Sequence, residues 1–215
     1  MAGGETLPKR GATHSWQRVA RTIRVPLGFV TAALYLSELW RRAPRPAAMA
    51  WSLALVIPGL WLRGYASGYV KKNRELTVTG PYAHTRNPLY LGSMLMAGGF
   101  ALALLSWLVA VVLAVGFAVI YIPVIASEER YLRATFPGFD EYFRQVPRLI
   151  PRVRAYNGSG TGGEPSGVTE GDRGGFSWGL YAKHREYNAL IGALLLYLCL
   201  LFLRPVLQAI FPGAR

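Results

Sequence analysis

The sequence predicts an all-α integral membrane protein, a helical bundle of about five transmembrane helices. Three observations predict it. Only 16% of the 215 residues are charged, while 52% are hydrophobic; soluble domains carry about 25% charge. The apolar residues are clumped, and Leu89 to Ala126 is 38 residues without a charged side chain. As one helix that run would be about 57 Å long, nearly twice the ~30 Å of a bilayer core, so it must fold back on itself. The basic residues, finally, flank the apolar stretches, which is the ordinary mark of membrane topology. The net charge of +13 therefore does not point to nucleic acid, because no aromatics interleave with the charges for base stacking. The single cysteine, Cys199, excludes a disulfide-stapled domain.

The elements follow in order. Residues 1–24 are polar and basic, with no apolar core of a secretory signal. Apolar spans are predicted at about Val25–Trp40, Ala47–Leu62, Leu89–Leu105, Trp107–Ala126 and Ala189–Leu203. Several fall near the short end of the ~17–25 residues a span needs, so they should extend a turn into flanking residues. The third and fourth meet at Ser106-Trp107, which predicts a tight antiparallel hairpin. Residues 156–175 hold eight glycines and read as a flexible linker. The predicted organisation is a basic segment 1–24, a core 25–155, the linker 156–175, and a juxtamembrane segment with the fifth helix, 176–215.

With the N-terminus cytoplasmic, that side carries 19 Lys and Arg against 5 on the other. The positive-inside rule thus places the N-terminus and both long loops, 63–88 and 127–188, in the cytoplasm. Two polar loops on one side of a bacterial-type inner membrane or an endomembrane can build one site between them.

Chemistry concentrates in those loops. The first ends TVTGPYAHTRNPLYLG, Thr77 to Gly92. Gly80-Pro81 marks a turn, and Pro88 can open a helix where its missing N–H costs nothing. Tyr82, His84, Arg86 and Tyr90 lie around them; a basic, aromatic interfacial belt would look the same. The second is ASEERYLRATFPGFDEYFRQVPRLIP, Ala126 to Pro151. Glu128 and Glu129 follow an apolar span directly, where the helix dipole prefers cations. They need a partner: Arg130 and Arg133 nearby, a cationic ligand, or an Arg facing them from the first loop. Phe139, Tyr142 and Phe143 form an aromatic stripe, with Arg144 and Arg148 beside it, as on an amphipathic surface helix. His14, His84 and His184 are scattered, so no metal site assembles. Neither a phosphate-binding glycine loop nor a nucleophile elbow is present.

Together the two stretches resemble the superfamily of isoprenylcysteine carboxyl methyltransferases and phospholipid methyltransferases. GPYAHTRNPLYLG is similar to its GPYxxxRHPxYxG signature, and EERYLRATFPGFDEYFRQVPRLIP to its partner, in the same order and around a hairpin. The resemblance covers roughly Asn73 to Pro151. Asn87 stands where the signature has histidine, and Gln145 where a second tyrosine is common.

The resemblance implies a membrane enzyme that uses S-adenosylmethionine without a Rossmann domain. The residues suit that cofactor. Arg86 is the best-placed fork for its carboxylate, and Glu128 or Glu129 can take its ammonium. Tyr82 and Tyr90 offer faces to the sulfonium. The turn at Gly80 and Pro81 and the segment around Gly138 can flank adenine. Asn87, Pro88 and Tyr142 complete the candidate cofactor set; Arg86, Asn87 and Glu128 are the candidate catalytic residues. Methyl transfer is an in-line displacement, so alignment and desolvation dominate. The expected acceptor is lipophilic and enters from the bilayer, most like a prenylcysteine carboxylate, with a phospholipid or other lipid amine as the alternative. A reductase of the sterol type using NADPH, and a non-catalytic membrane protein, are the remoter readings. No charge lies deep in any predicted span, which disfavours a transport pathway. Nothing in the sequence sets an oligomeric state.

Overall fold

The computed structural model describes residues 13–70, 76–157 and 175–210, with the backbone alone at 13–25 and 204. Every regular element among them is helical. In order these are α1 (Thr13–Arg41), α2 (Pro46–Ser67), a 3-10 turn (Gly80–Ala83), α3 (Pro88–Leu104), α4 (Trp107–Thr135), α5 (Phe139–Gln145), α6 (Trp178–Lys183), α7 (Tyr187–Leu198), a π turn (Cys199–Leu203) and α8 (Arg204–Ile210). The protein is thus an all-helical membrane bundle. Most of the predicted linker, residues 158–174, lies outside the described residues.

All five predicted spans are helical, yet among the described residues three helices are long and apolar enough to cross a membrane: Pro46–Ser67, Trp107–Thr135 and Tyr187–Ile210. The third predicted span is the shorter α3, with 17 residues, and the first lies within α1, which ends on Glu38 and Arg41. Helices also run past the apolar segments. α2 continues to Ser67 and α4 to Thr135, because backbone hydrogen bonding does not stop where side chains turn polar. At 29 residues, α4 is about 44 Å long against a ~30 Å core. Its last turns, with Glu128 and Glu129, therefore extend beyond the hydrocarbon region.

The predicted hairpin forms. Leu105 takes the left-handed conformation (φ 49°) and Ser106 caps α4, its side chain accepting from Val109 N. α2 and α3 pack antiparallel through glycines. A Cβ on Gly59 would sit 2.7 Å from the Gly92 carbonyl oxygen, and one on Gly92 would meet the Gly59 carbonyl oxygen at the same distance. In a bilayer, small residues of this kind let backbones approach, and packing replaces the hydrophobic effect as the source of helix association. Tyr35, Leu39, Val56, Phe100, Leu104, Val109, Ala193 and Leu200 form the core shared by α1, α2, α3, α4, α7 and the π turn, while Trp51, Trp61, Val115 and Leu194 stay exposed, facing lipid.

α1 is tied to the hairpin by polar contacts that the spans' composition did not announce. Tyr35 donates to the Phe100 carbonyl at 3.1 Å. Glu38 is buried within the first predicted span, near its end, and accepts from Ser106 Oγ at 2.6 Å and from Arg42 Nε at 3.0 Å.

Candidate functional site

The ends of α2, α3, α4 and α7 that carry Ser67, Pro88, Thr135 and Tyr187 gather at one end of the bundle, and there the two motif stretches lie side by side. The backbone strip from Ala83 to Asn87 is laced to residues 147–156. Arg86 N–H donates to Pro147 O, Arg152 N–H to His84 O, and Tyr156 N–H to Ala83 O, at 2.9–3.0 Å. Thr85 Oγ1 donates toward the Arg148 and Leu149 carbonyls, and Asn87 Nδ2 to Arg148 O at 3.1 Å. His84 Nδ1 lies 2.8 Å from the Arg152 carbonyl, which makes that nitrogen the protonated one. Tyr142 on α5 donates to the Tyr82 carbonyl at 2.7 Å.

The local chain explains this shape. Gly80 has φ +58°, and a Cβ there would sit 2.6 Å from the Tyr69 ring, so glycine alone fits both the turn and the ring. Gly138 (φ +85°) plays the same conformational part ahead of α5. Phe139, Tyr142 and Val146 form a small second core with Leu76, Val78, Leu132, Phe143 and Tyr156. Burial pushes the Tyr82 and Tyr142 phenols above the usual tyrosine range, so both stay protonated donors at neutral pH. Removing the Tyr142 hydroxyl leaves the Tyr82 carbonyl without its partner. Tyr142→Phe should therefore lose about 1–3 kcal/mol, read as a lower unfolding temperature in detergent; an unchanged temperature would show that the strut carries no weight.

At the centre lies Glu129, buried on α4. Arg86 Nη1 is 2.8 Å from its Oε1, and Arg148 Nη2 is 2.6 Å from its Oε2. Arg86 also stacks over Phe143, its Cζ 3.9 Å from the ring centroid, with Arg133 at 4.7 Å from the same ring. One feature is unbalanced. Arg86 Nε and Nη1 are fully buried yet have no hydrogen-bond acceptor among the described residues. Nη1 is close to Glu129 but off the line a hydrogen bond requires. Burial pulls the Arg86 pKa below the usual arginine value, while Glu129 pulls it back up; the guanidinium remains a cation.

The sequence-predicted residues thus divide. Arg86 and Glu129 meet, as the idea of a facing arginine from the first loop anticipated. Glu129 is paired with Arg86 and Arg148, whereas Arg133 pairs with Asp140. Glu128 accepts from the Tyr90 hydroxyl at 3.0 Å. Pro81, Tyr82, Asn87, Pro88 and Tyr142 are buried in the frame around Arg86. Two features escaped the sequence reading. Arg148 was visible only as a neighbour of the aromatic stripe, since nothing in its spacing announces Glu129. Arg63 on α2 pairs with Glu186, with Nη2 to Oε2 at 2.8 Å, and reaches Ser93 and the Leu89 carbonyl on α3. A lone arginine closing one apolar span and a lone acid opening another was the only available signal.

The phospholipid methyltransferase (PEMT) family profile matches residues 48–138, from α2 to the turn before α5. Among curated proteins, the nickel-cobalt-cadmium resistance protein NccN of Alcaligenes xylosoxydans xylosoxydans is 31% identical over 147 residues, 68% of this chain and 67% of that protein. The chain belongs to the phospholipid methyltransferase family. The cobalt-zinc-cadmium resistance protein CzcN of Cupriavidus metallidurans is 41% identical over 102 residues, 47% of this chain. That match spans just under half of CzcN, 46% of its length. No solved structure matches the chain. The family places the protein within the superfamily of membrane methyltransferases that the two motifs resemble, and the profile match holds Arg86, Glu128 and Glu129 together.

Proposed function

We propose that this membrane methyltransferase uses S-adenosylmethionine and methylates a lipophilic acceptor, most like the carboxylate of an isoprenylcysteine. The observation that carries the cofactor assignment is the buried Arg86, with two guanidinium nitrogens lacking an acceptor beside the carboxylate of Glu129. An α-amino acid brings a carboxylate and an ammonium on one carbon. Arg86 would hold the carboxylate, and Glu129, already shared between two arginines, would face the ammonium. When bound, the cofactor supplies an activated methyl group. The chain's part is to fix that group's direction, to exclude water, and to hold the acceptor in line. Pro81, Tyr82, Asn87, Pro88 and Tyr142 form the rigid frame for Arg86 in this reading.

Calorimetry of the purified protein in detergent tests it. S-adenosylmethionine should bind, and Arg86→Ala should weaken it ~30-fold or more, the effect of removing one partner of a buried charged hydrogen bond. Equal affinity in the variant would remove Arg86 from the site.

A lipid amine is the second acceptor reading, favoured by the family's phospholipid description. The relatives are named for resistance to cobalt, zinc, cadmium and nickel, and in this proposal that is the setting in which the methyl transfer serves the cell.

The proposal includes orientation, with the arginine cluster in the cytoplasm, supported by the 19-to-5 distribution of Lys and Arg. Ser67 is fully buried, so cysteine probes belong at exposed Arg130 and at Trp107 on the hairpin tip, in a Cys199→Ala background. An impermeant maleimide applied outside intact cells should label Arg130→Cys poorly and Trp107→Cys well. The opposite pattern would invert the topology.

A further inference from the structure

α3 and α4 do not close on each other along their whole length. Between them runs an apolar groove of about 480 Å³, lined by Met94, Ala97 and Ala101 on one side and Ala110, Ala114 and Phe117 on the other. That volume falls in the range of small-molecule sites, ~300–1,000 Å³.

The groove's two helical faces continue past its lining. On α3, Tyr90 lies four residues before Met94, on the same face. On α4, Tyr121 lies four residues after Phe117, and Glu128 lies 18 residues after Ala110, five full turns at 3.6 per turn. The contacts agree with that register. Phe117 stacks on Tyr121 (centroids 4.6 Å), Tyr121 meets Tyr90 edge-on (5.1 Å), and the Tyr90 hydroxyl donates to Glu128 (3.0 Å). An apolar channel therefore grades into aromatic rings and ends on a carboxylate, one residue from Glu129. An amphiphile has this same order of apolar chain, interface and polar head.

We propose that this groove is the tail site of the acceptor, that it takes one long chain, and that Tyr90, Tyr121 and Glu128 receive a cationic amine head group, since the Glu128 carboxylate attracts an ammonium and repels a carboxylate; of the two acceptor readings this is the lipid amine. The inference rests on the methyltransferase reading and deepens it. From Met94 to Leu105 the groove is about 16 Å long, roughly half of the ~30 Å hydrocarbon thickness, the turn to Tyr90 adds about 6 Å, and Ala97, Ala101, Ala110 and Ala114 line it on both sides. Glu128 then serves the acceptor's polar end, while Glu129 serves the arginine cluster. Because both acids sit at one level of α4, the head is delivered beside Arg86.

The test uses a 16-carbon single-chain lysophosphatidylethanolamine carrying a diazirine in its chain. Full-length protein in nanodiscs is irradiated with this probe, and the adducts are mapped by mass spectrometry. Adducts should concentrate on the groove walls of α3 and α4. Ala110→Phe and Ala114→Phe, both at exposed positions, should each reduce them at least tenfold. Val119→Phe, on a part of α4 that does not line the groove, should change nothing. Glu128→Gln should lower the yield about tenfold without moving the labelled positions. Adducts spread evenly over the bundle, or yields insensitive to Ala110→Phe, would reduce the groove to ordinary contact with bulk lipid and overturn the proposal. Unchanged yield in Glu128→Gln would overturn the head-group assignment. S-adenosylmethionine affinity, measured on the same samples, should be unaffected by Ala110→Phe. Its absence from the wild-type protein would sink the methyltransferase reading, while the adduct pattern still decides the groove.

Discussion

Glu129→Gln should destabilise the protein by about 3–5 kcal/mol, and Glu128→Gln by no more than about 1. The first change leaves Arg86, whose side chain is 9% exposed, as a buried cation without a counter-charge. Removing one partner of a buried pair costs ~3–5 kcal/mol because the other charge remains desolvated. Arg148, with 43% of its side chain exposed, is solvated and adds little. Glu128 is exposed and its hydrogen bond with Tyr90 lies at the surface, where such interactions contribute ~0–1 kcal/mol. Thermal unfolding of the three proteins in one detergent checks this, with S-adenosylmethionine affinity measured beside it. Adding Arg86→Met to Glu129→Gln should recover part of the stability, since the stranded charge is then gone. Equal losses at the two glutamates would mean that Glu129 is not the buried centre of an arginine pair.

A second large effect is expected far from any charged group. Gly59 and Gly92 face each other so closely that a methyl on either would overlap the other's carbonyl oxygen, at 2.7 Å. The clash is with backbone, which cannot rotate away. Overpacking of this kind costs ~1–3 kcal/mol or more, and Gly92→Ala or Gly59→Ala should each fall at or above the top of that range. α2 and α3 must then separate, and Arg63 moves with them. The same substitution at Gly116, where nothing lies within 4 Å, should be neutral or slightly stabilising, since alanine favours helix. Unfolding temperatures and yields of folded protein in detergent decide it; tolerance at Gly92 equal to that at Gly116 would mean the helices do not touch there.

What could be read in advance follows the reach of each interaction along the chain. The hairpin at Ser106 was legible because its signal is local: two apolar runs back to back, too long for one crossing. The ends of α2 and α4 were not, because hydropathy marks the edge of the lipid and hydrogen bonding marks the edge of the helix. The meeting of Arg86 with Glu129 was foreseen as one of several partners for a misplaced pair of acids. That Glu129 takes both Arg86 and Arg148, while Glu128 turns toward Tyr90, depends on 100° of rotation between neighbours and on the lacing of residues 83–87 to 147–156. Neither is written in spacing. The Arg63–Glu186 pair joins residues 123 positions apart, and its one mark in the sequence, a lone charge at the edge of each of two spans, does not say that the two meet.

The contact between Glu38 and Ser106 has a consequence for how the protein is made. A chain emerges N-terminus first, so α1 is complete while Ser106, 68 positions further on, is still being synthesised. Until it arrives, the carboxylate has only its helix neighbours Arg41 and Arg42, and the seat it will occupy at the hairpin tip does not exist. The first helix must therefore wait at the membrane surface or cross in a provisional position, and its final docking belongs to a late step of biogenesis. A ribosome stalled before Ser106 should hold α1 loosely, and one stalled past α4 should hold it firmly.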